Sequence, residues 1–165
     1  MTNFWEKLER PLFVLAPMAD VTDAAFRRMF AKYGKPDVTW TEFVSCDGLY
    51  ATREREGMKD EENPLMQDLL YSEEERPIVA QLFSSNPDMM EYGALLVKEL
   101  GFDGIDINMG CPDRSIEKQG AGSAHIKSPE RAIEVINAAR KSGLPVSVKT
   151  RIGYNKEEID TWIRT

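Results

Sequence analysis

Phe13-Val14-Leu15-Ala16-Pro17-Met18-Ala19-Asp20 is a short apolar run that breaks into a turn without a glycine. The run reads as a first strand. A helical pattern follows from about Thr22, with Phe26, Met29, Phe30 and Tyr33 at helical spacing and Gly34 as the stop. A strand passing straight into a helix is the building unit of a parallel α/β architecture. In an open doubly wound sheet the first strand would be followed by a glycine-rich phosphate turn. Pro17-Met18-Ala19-Asp20 contains none, and the comparison favours a barrel.

The same unit recurs along the chain. Val38-Thr39-Trp40-Thr41 reads as a second strand and Pro77 to Phe83 as a third. Asn86-Pro87 then supplies a cap and a first-turn proline for a helix with Met89, Leu96 and Leu100 on one face, ending at Gly101. Gly104-Ile105-Asp106-Ile107 makes a fourth strand. Ser128-Pro129-Glu130 opens a helix expected to turn Ile133, Ile136 and Ala139 inward, with Gly143 after its end. Leu144 to Lys149 is a fifth strand, and a further helix is expected from Lys156. Residues 52–76, crowded with charge, read as an exposed loop with some helix. The fold class is therefore α/β, a (β/α)8 TIM barrel of which the first five βα units are present. A complete barrel needs about 250 residues, so residues 1–165 are expected to form the N-terminal part of such a domain, too short to close it.

Composition sets outer limits on function. Apolar residues make up 42% and charged residues 30%, ordinary for a globular protein. No run of about 18 apolar residues is present to span a membrane. Met1 to Arg10 is polar and lacks the apolar centre of a secretion signal. Cys46 and Cys111 lie far apart with no pairing pattern, so both are expected to be free thiols in the cytoplasm. A single histidine and no ligand cluster give no metal site. The net charge of −7 argues against this segment being a nucleic-acid grip by itself.

Barrels of this kind gather functional residues just past the C-terminal ends of their strands. Those positions hold Pro17, Met18 and Ala19, then Glu42, then Gln81, then Asn108 with Cys111, then Lys149 and Arg151. Two carboxamides, a thiol and a lysine on one rim could hold a planar polar ring and transfer a proton to a ligand above it. Each residue also has a plainer role. Gln81 and Asn108 could bond loop backbone, and a lone cysteine is more often a small filler. Cys111 stands apart because Gly110 and Pro112 place it on a shaped turn, whereas Cys46 has no such setting and reads as structural. His125 reads as a partly exposed histidine on a short helix. Gly120-Ala121-Gly122 is a small-residue patch that lets a loop approach closely, with a phosphate cradle as the weaker alternative.

Ala16-Pro17-Met18-Ala19-Asp20-Val21-Thr22-Asp23 with Phe26-Arg27, and Asp106 to Pro112, resemble the opening and active-site segments of the FMN-dependent tRNA-dihydrouridine synthases. Gln81-Leu82, Gly120 to Ala124, and Val148-Lys149-Thr150-Arg151-Ile152-Gly153 match the same family in order and spacing. The resemblance runs from about Phe13 to Tyr154. It implies that Pro17, Met18 and Ala19 line the flavin, that Gln81 and Lys149 bond its polar edge, and that Asn108 shapes the flavin and uracil pocket. It further implies that Arg151 meets the substrate and that Cys111 is the proton donor. FMN would be the cofactor, NADPH (or another NAD(P)H) the reductant and tRNA the substrate, its target base flipped out to reach the site. Asp20 departs from the glycine common at that position. Strands six to eight and a helical C-terminal tRNA-binding domain, which the family also carries, are expected to be absent from this chain. The alternatives are another FMN barrel oxidoreductase, of dihydroorotate dehydrogenase type, acting on a small molecule, or a non-catalytic half barrel whose apolar edges drive association.

Overall fold

Short β-rich runs alternating with helices set the architecture of the computed structural model, which describes residues 3–164. Met1 and Thr2 of the polar N-terminus, and Thr165 at the end of the last expected helix, lie outside the described residues. The elements run β1 (Val14–Leu15), α1 (Ala24–Tyr33), β2 (Val38–Ser45), α2 (Cys46–Tyr50), α3 (Pro64–Gln67), β3 (Ile78–Phe83), α4 (Pro87–Glu99), β4 (Gly104–Met109), α5 (Arg114–Lys118), α6 (Pro129–Arg140) and β5 (Val146–Thr150). The strands form one parallel sheet in the order β1-β2-β3-β4-β5. The sheet is curled, because residues of β1 and β5, its two outer strands, line one common cavity. These are the first five βα units of a TIM barrel.

The outer face of the sheet is apolar. Ile78, Ala80 and Leu82 of β3 and Ile105, Ile107 and Met109 of β4 join Met90, Ala94 and Val97 of α4 and Val135 and Ala139 of α6 in the main core. Each large aliphatic side chain buried there contributes roughly 1.5–3 kcal/mol. This layer, rather than the polar inner face, holds the sheet in place. At the N-terminal ends of the strands, Phe4, Trp5 and Leu8 pack on Val38, Trp40 and Val79 and plug the curl from below. Gly104 leaves room for the plug: a Cβ there would stand 3.1 Å from Phe4 Cε1. An apolar pair inside an otherwise polar N-terminus was the available sign of this plug.

Several helices differ from their expected faces or bounds. On α6 the buried stripe is Ala132, Val135, Ala138 and Ala139, while Ile133 is 42% exposed, because the small residues let α6 sit close to α4 and rotate its bulkier isoleucine outward. On α1 the apolar residues Met29, Phe30 and Tyr33 are exposed, and the fully buried side chain is Arg27. No described element covers that flank. The helix expected from Lys156 is instead a single wide turn, Ile159–Ile163, anchored by Trp162, whose Nε1 donates to Thr150 Oγ1 at 3.0 Å. Residues 52–76 are charged and irregular, as expected, but are tied down at buried Asn63, Met66, Leu69 and Glu75.

Candidate functional site

Strand register brings the polar side chains together. Gln81 pairs with Asp106, Asp106 with Ser147, and Asn108 with Lys149. Because side chains alternate between faces, paired residues on neighbouring strands project to the same side. With Ile105 and Ile107 outward, Asp106 and Asn108 must point inward. Gln81 Nε2 donates to Asp106 Oδ2 at 2.6 Å, and Asn108 Nδ2 donates to Gln81 Oε1 at 3.2 Å. Ser147 Oγ donates to Asp106 Oδ1 at 2.6 Å. All three of Gln81, Asp106 and Asn108 are buried. Burial pushes the Asp106 carboxyl above the usual carboxylate range, opposed by the bonds from Ser147 and Gln81 and by the nearby charge of Lys149.

Asn108 carries this network to the thiol. Its Oδ1 accepts from the Gly110 amide at 3.2 Å and the Cys111 amide at 2.9 Å. From the other side, the Ser123 amide donates to the Cys111 carbonyl at 2.9 Å. The small-residue patch serves this contact, since a Cβ on Gly122 would meet that carbonyl at 2.6 Å, and Gly122 also has φ +60°. Arg151 Nε donates to the Gly110 carbonyl at 2.6 Å, tying the end of β5 to the same turn. Cys111 itself is half-buried against Phe83, Ile116 and Ala121.

Of the other expected residues, Pro17 and Lys149 line a cavity of about 300 Å³. Its walls are mostly apolar, from Trp5, Val14, Ala16, Pro17 and Trp40, with Asp106, Ser147 and Lys149 as the polar side. Lys149 is exposed rather than buried, because it stands on the outer strand of the sheet at the rim. Pro17 lines the cavity, whereas Met18 and Ala19 lie exposed in the turn beyond it. That turn is fixed by Thr22, whose Oγ1 accepts from the Met18 amide at 2.9 Å. Glu42 is inside β2, not after it, because the strand continues through a bulge to Ser45. Burial raises the Glu42 carboxyl, while the backbone amides of Asp20 and Val21 bond it and pull it down; the charges of Asp68 and Asp20 push it up.

Asp20 has φ +59°, the left-handed conformation that glycine adopts without strain. Its negative charge also faces Glu42 and Asp68. Asp20→Gly is therefore expected to stabilise the chain by about 0.5–1 kcal/mol after the entropy of the added glycine is subtracted. Urea denaturation of the two proteins checks this, and a loss of stability would contradict the strain argument.

Sequence alone passed over Asp106 and Ser147, although an aspartate between two isoleucines of a strand is itself a signal of a polar inner site. His125 also differs from expectation. It is fully buried, because its ring reaches behind β3 and Nε2 donates to the Ser84 carbonyl at 3.2 Å. Nδ1 has no hydrogen-bond partner among the described residues. Burial lowers its pKa below 6.5, with the Ser84 bond opposing and Arg131 adding to the fall. A histidine with a depressed folded pKa binds fewer protons folded than unfolded, so its contribution is intact above its unfolded pKa and is lost as pH falls below it. His125→Leu is expected to flatten the stability profile between about pH 6.5 and 5, measured by denaturant unfolding. An unchanged slope would remove His125 from the acid response. Cys46, read as structural, is fully buried in the main core, and burial raises its pKa.

Five parallel βα units define a (β/α)-barrel protein, with the candidate polar groups towards the C-terminal ends of its strands. Residues 14–163 match the family model described as dihydrouridine synthase. A probable tRNA-dihydrouridine synthase of Staphylococcus aureus (strain COL) is 42% identical over 166 residues, covering 97% of this chain and 46% of that protein. A probable tRNA-dihydrouridine synthase 2 of Bacillus subtilis (strain 168) is 42% identical over 160 residues with the same coverage. The chain belongs to the dihydrouridine synthase family and spans about half the length of the curated relatives it matches. No helix among the described residues is long and apolar enough to cross a membrane.

Proposed function

We propose that this chain carries the flavin and proton-transfer half of a tRNA-dihydrouridine synthase site, which reduces the C5–C6 double bond of a uridine in tRNA. The observation that carries this reading is the bonded series Gln81–Asn108–Cys111, which fixes the turn that bears the thiol at the end of β4, the strand whose Asp106 lines the mostly apolar cavity. The cavity suits FMN in kind: apolar walls for a planar ring, with Lys149 in its lining, and Gln81 next to that lining through its bond to Asp106, for the polar edge. When bound, FMN would supply the hydride that uracil C6 receives, with NADPH as the source of electrons.

The protein residues have separable tasks. Pro17, at the edge of the cavity near β1, and Met18 and Ala19, in the turn beyond it, would contact the ring through backbone and apolar atoms. Lys149 offers a positive charge where negative charge would gather on the reduced ring. Asn108 shapes the pocket for the base, and Arg151, exposed at the end of β5, meets the substrate. Cys111 gives its proton to C5 and recovers one from solvent. A thiol suits this task because an unperturbed pKa of about 8.5 keeps most of it protonated near neutrality. Two free thiols agree with a reducing, cytoplasmic setting.

The test is incubation of unmodified tRNA with the protein, FMN and NADPH, followed by digestion and mass analysis of nucleosides. A uridine product heavier by two hydrogens, formed only with all components, supports the reading. Reduction of a free pyrimidine with none in tRNA would favour a small-molecule substrate instead.

A further inference from the structure

The two rim amides have only one orientation consistent with their partners. Asn108 Oδ1 faces two backbone amides, of Gly110 and Cys111, and only an oxygen can satisfy both. Asn108 Nδ2 therefore faces Gln81 and must meet its oxygen, which turns Gln81 Nε2 toward β4. There it needs an acceptor, and Asp106 Oδ2 provides it at 2.6 Å. All the bonds run the same way, from the Cys111 turn toward one carboxylate. Reversing either amide would set N–H against N–H in a buried place, where unmatched groups are costly.

We propose that Asp106 is a positioning residue for Cys111: by accepting from Gln81 it fixes the direction of a relay that holds the Gly110 and Cys111 amides, and with them the thiol. The proposal rests on Cys111 being the proton donor, and it extends that assignment to a residue in the middle of β4 that need not touch substrate. Ser147 fixes the carboxylate in turn, bonding the oxygen that Gln81 does not use. Burial of Asp106 fits the role, since a partly solvated acceptor would let water replace Gln81.

Alkylation of the native chain by iodoacetamide reads the turn directly, because Cys46 has 0% exposure and Cys111 is the accessible thiol. Asp106→Leu keeps the branched shape, at a larger volume, and removes the acceptor. Its Cys111 is expected to react about fivefold faster, the population change that one lost hydrogen bond corresponds to, at a temperature where the protein remains folded. Asp106→Asn is expected to restore the wild-type rate, since its oxygen can face Gln81 while its amide donates to the Ser147 hydroxyl. A residue that merely supports the core would lower the melting temperature without changing the alkylation rate of folded protein. An unchanged rate in Asp106→Leu overturns the relay, and equal acceleration in Asp106→Asn overturns the claim that the acceptor is what matters. If Asp106→Leu does not fold, Gln81→Met, which removes the middle link, must show the same acceleration. The alkylation needs no flavin and no tRNA, so its failure is distinct from failure of the proposed activity.

Discussion

Cys111→Ala is expected to lower dihydrouridine formation by about 10²–10⁴-fold, the usual contribution of a positioned general acid. The change removes one sulfur and leaves the turn's supports in place. The amide of residue 111 can still donate to Asn108 Oδ1, and its carbonyl can still accept from Ser123. Gly122 still lets the two segments approach. Packing loss is small, since Cys111 is only half-buried at the margin of the cluster of Phe83, Ile116 and Ala121. Flavin affinity should be unaffected, as none of the cavity's walls is altered. Single-turnover rates with tRNA, taken beside flavin binding of the same preparation, make the measurement. Turnover within twofold of wild type would remove Cys111 from the chemistry.

The largest effect on stability is expected at Arg27. Its Nε donates to Glu75 Oε2 at 2.7 Å, with both side chains fully buried, and its other nitrogens donate to the carbonyls of Thr22 and Leu70. Glu75 in turn closes a capping box with Ser72. One residue thus joins the turn after β1, helix α1 and the charged segment before β3. Arg27→Ala removes the near counter-charge of a buried carboxylate, leaving it the more distant, exposed Arg28 at 4.0 Å, and is expected to cost about 3–5 kcal/mol. Urea unfolding with an unchanged slope would register this as a shift of midpoint. Arg27→Met combined with Glu75→Leu should recover much of the loss, because the desolvation of both charges disappears with them. A loss below about 1 kcal/mol in Arg27→Ala would show that the pair is not the joint described here.

What could be read from sequence follows from which forces act locally. Strand positions and the barrel class were legible because short β-rich runs such as Pro77 to Phe83 and Gly104 to Ile107 alternate with helical patterns and because the turn after β1 lacks glycine. Helix ends were legible where a residue type marks them, as Gly34 does for the end of α1, whereas its start, expected at about Thr22, is set by the Asp23 cap. Faces were harder to assign. Ile133 has the spacing of an inward residue, yet its exposure is set by how closely α4 lets α6 approach, a tertiary matter. His125 was misjudged for a similar reason: its burial depends on Ser84, 41 positions away. Gln81, Asn108 and Cys111 could each be named as candidates, but their bonding to one another depends on strand register, and Asp106 became visible only once that register placed it beside Gln81.

Titration of this chain with FMN, followed through flavin fluorescence, addresses the claim that the curled sheet already forms a flavin site. Saturable quenching by the wild-type chain is expected, weakened about tenfold or more by Lys149→Ala, which removes a charge-assisted contact. Fluorescence that stays indifferent to the chain up to about 1 mM, or quenching that Lys149→Ala leaves unchanged, would contradict it.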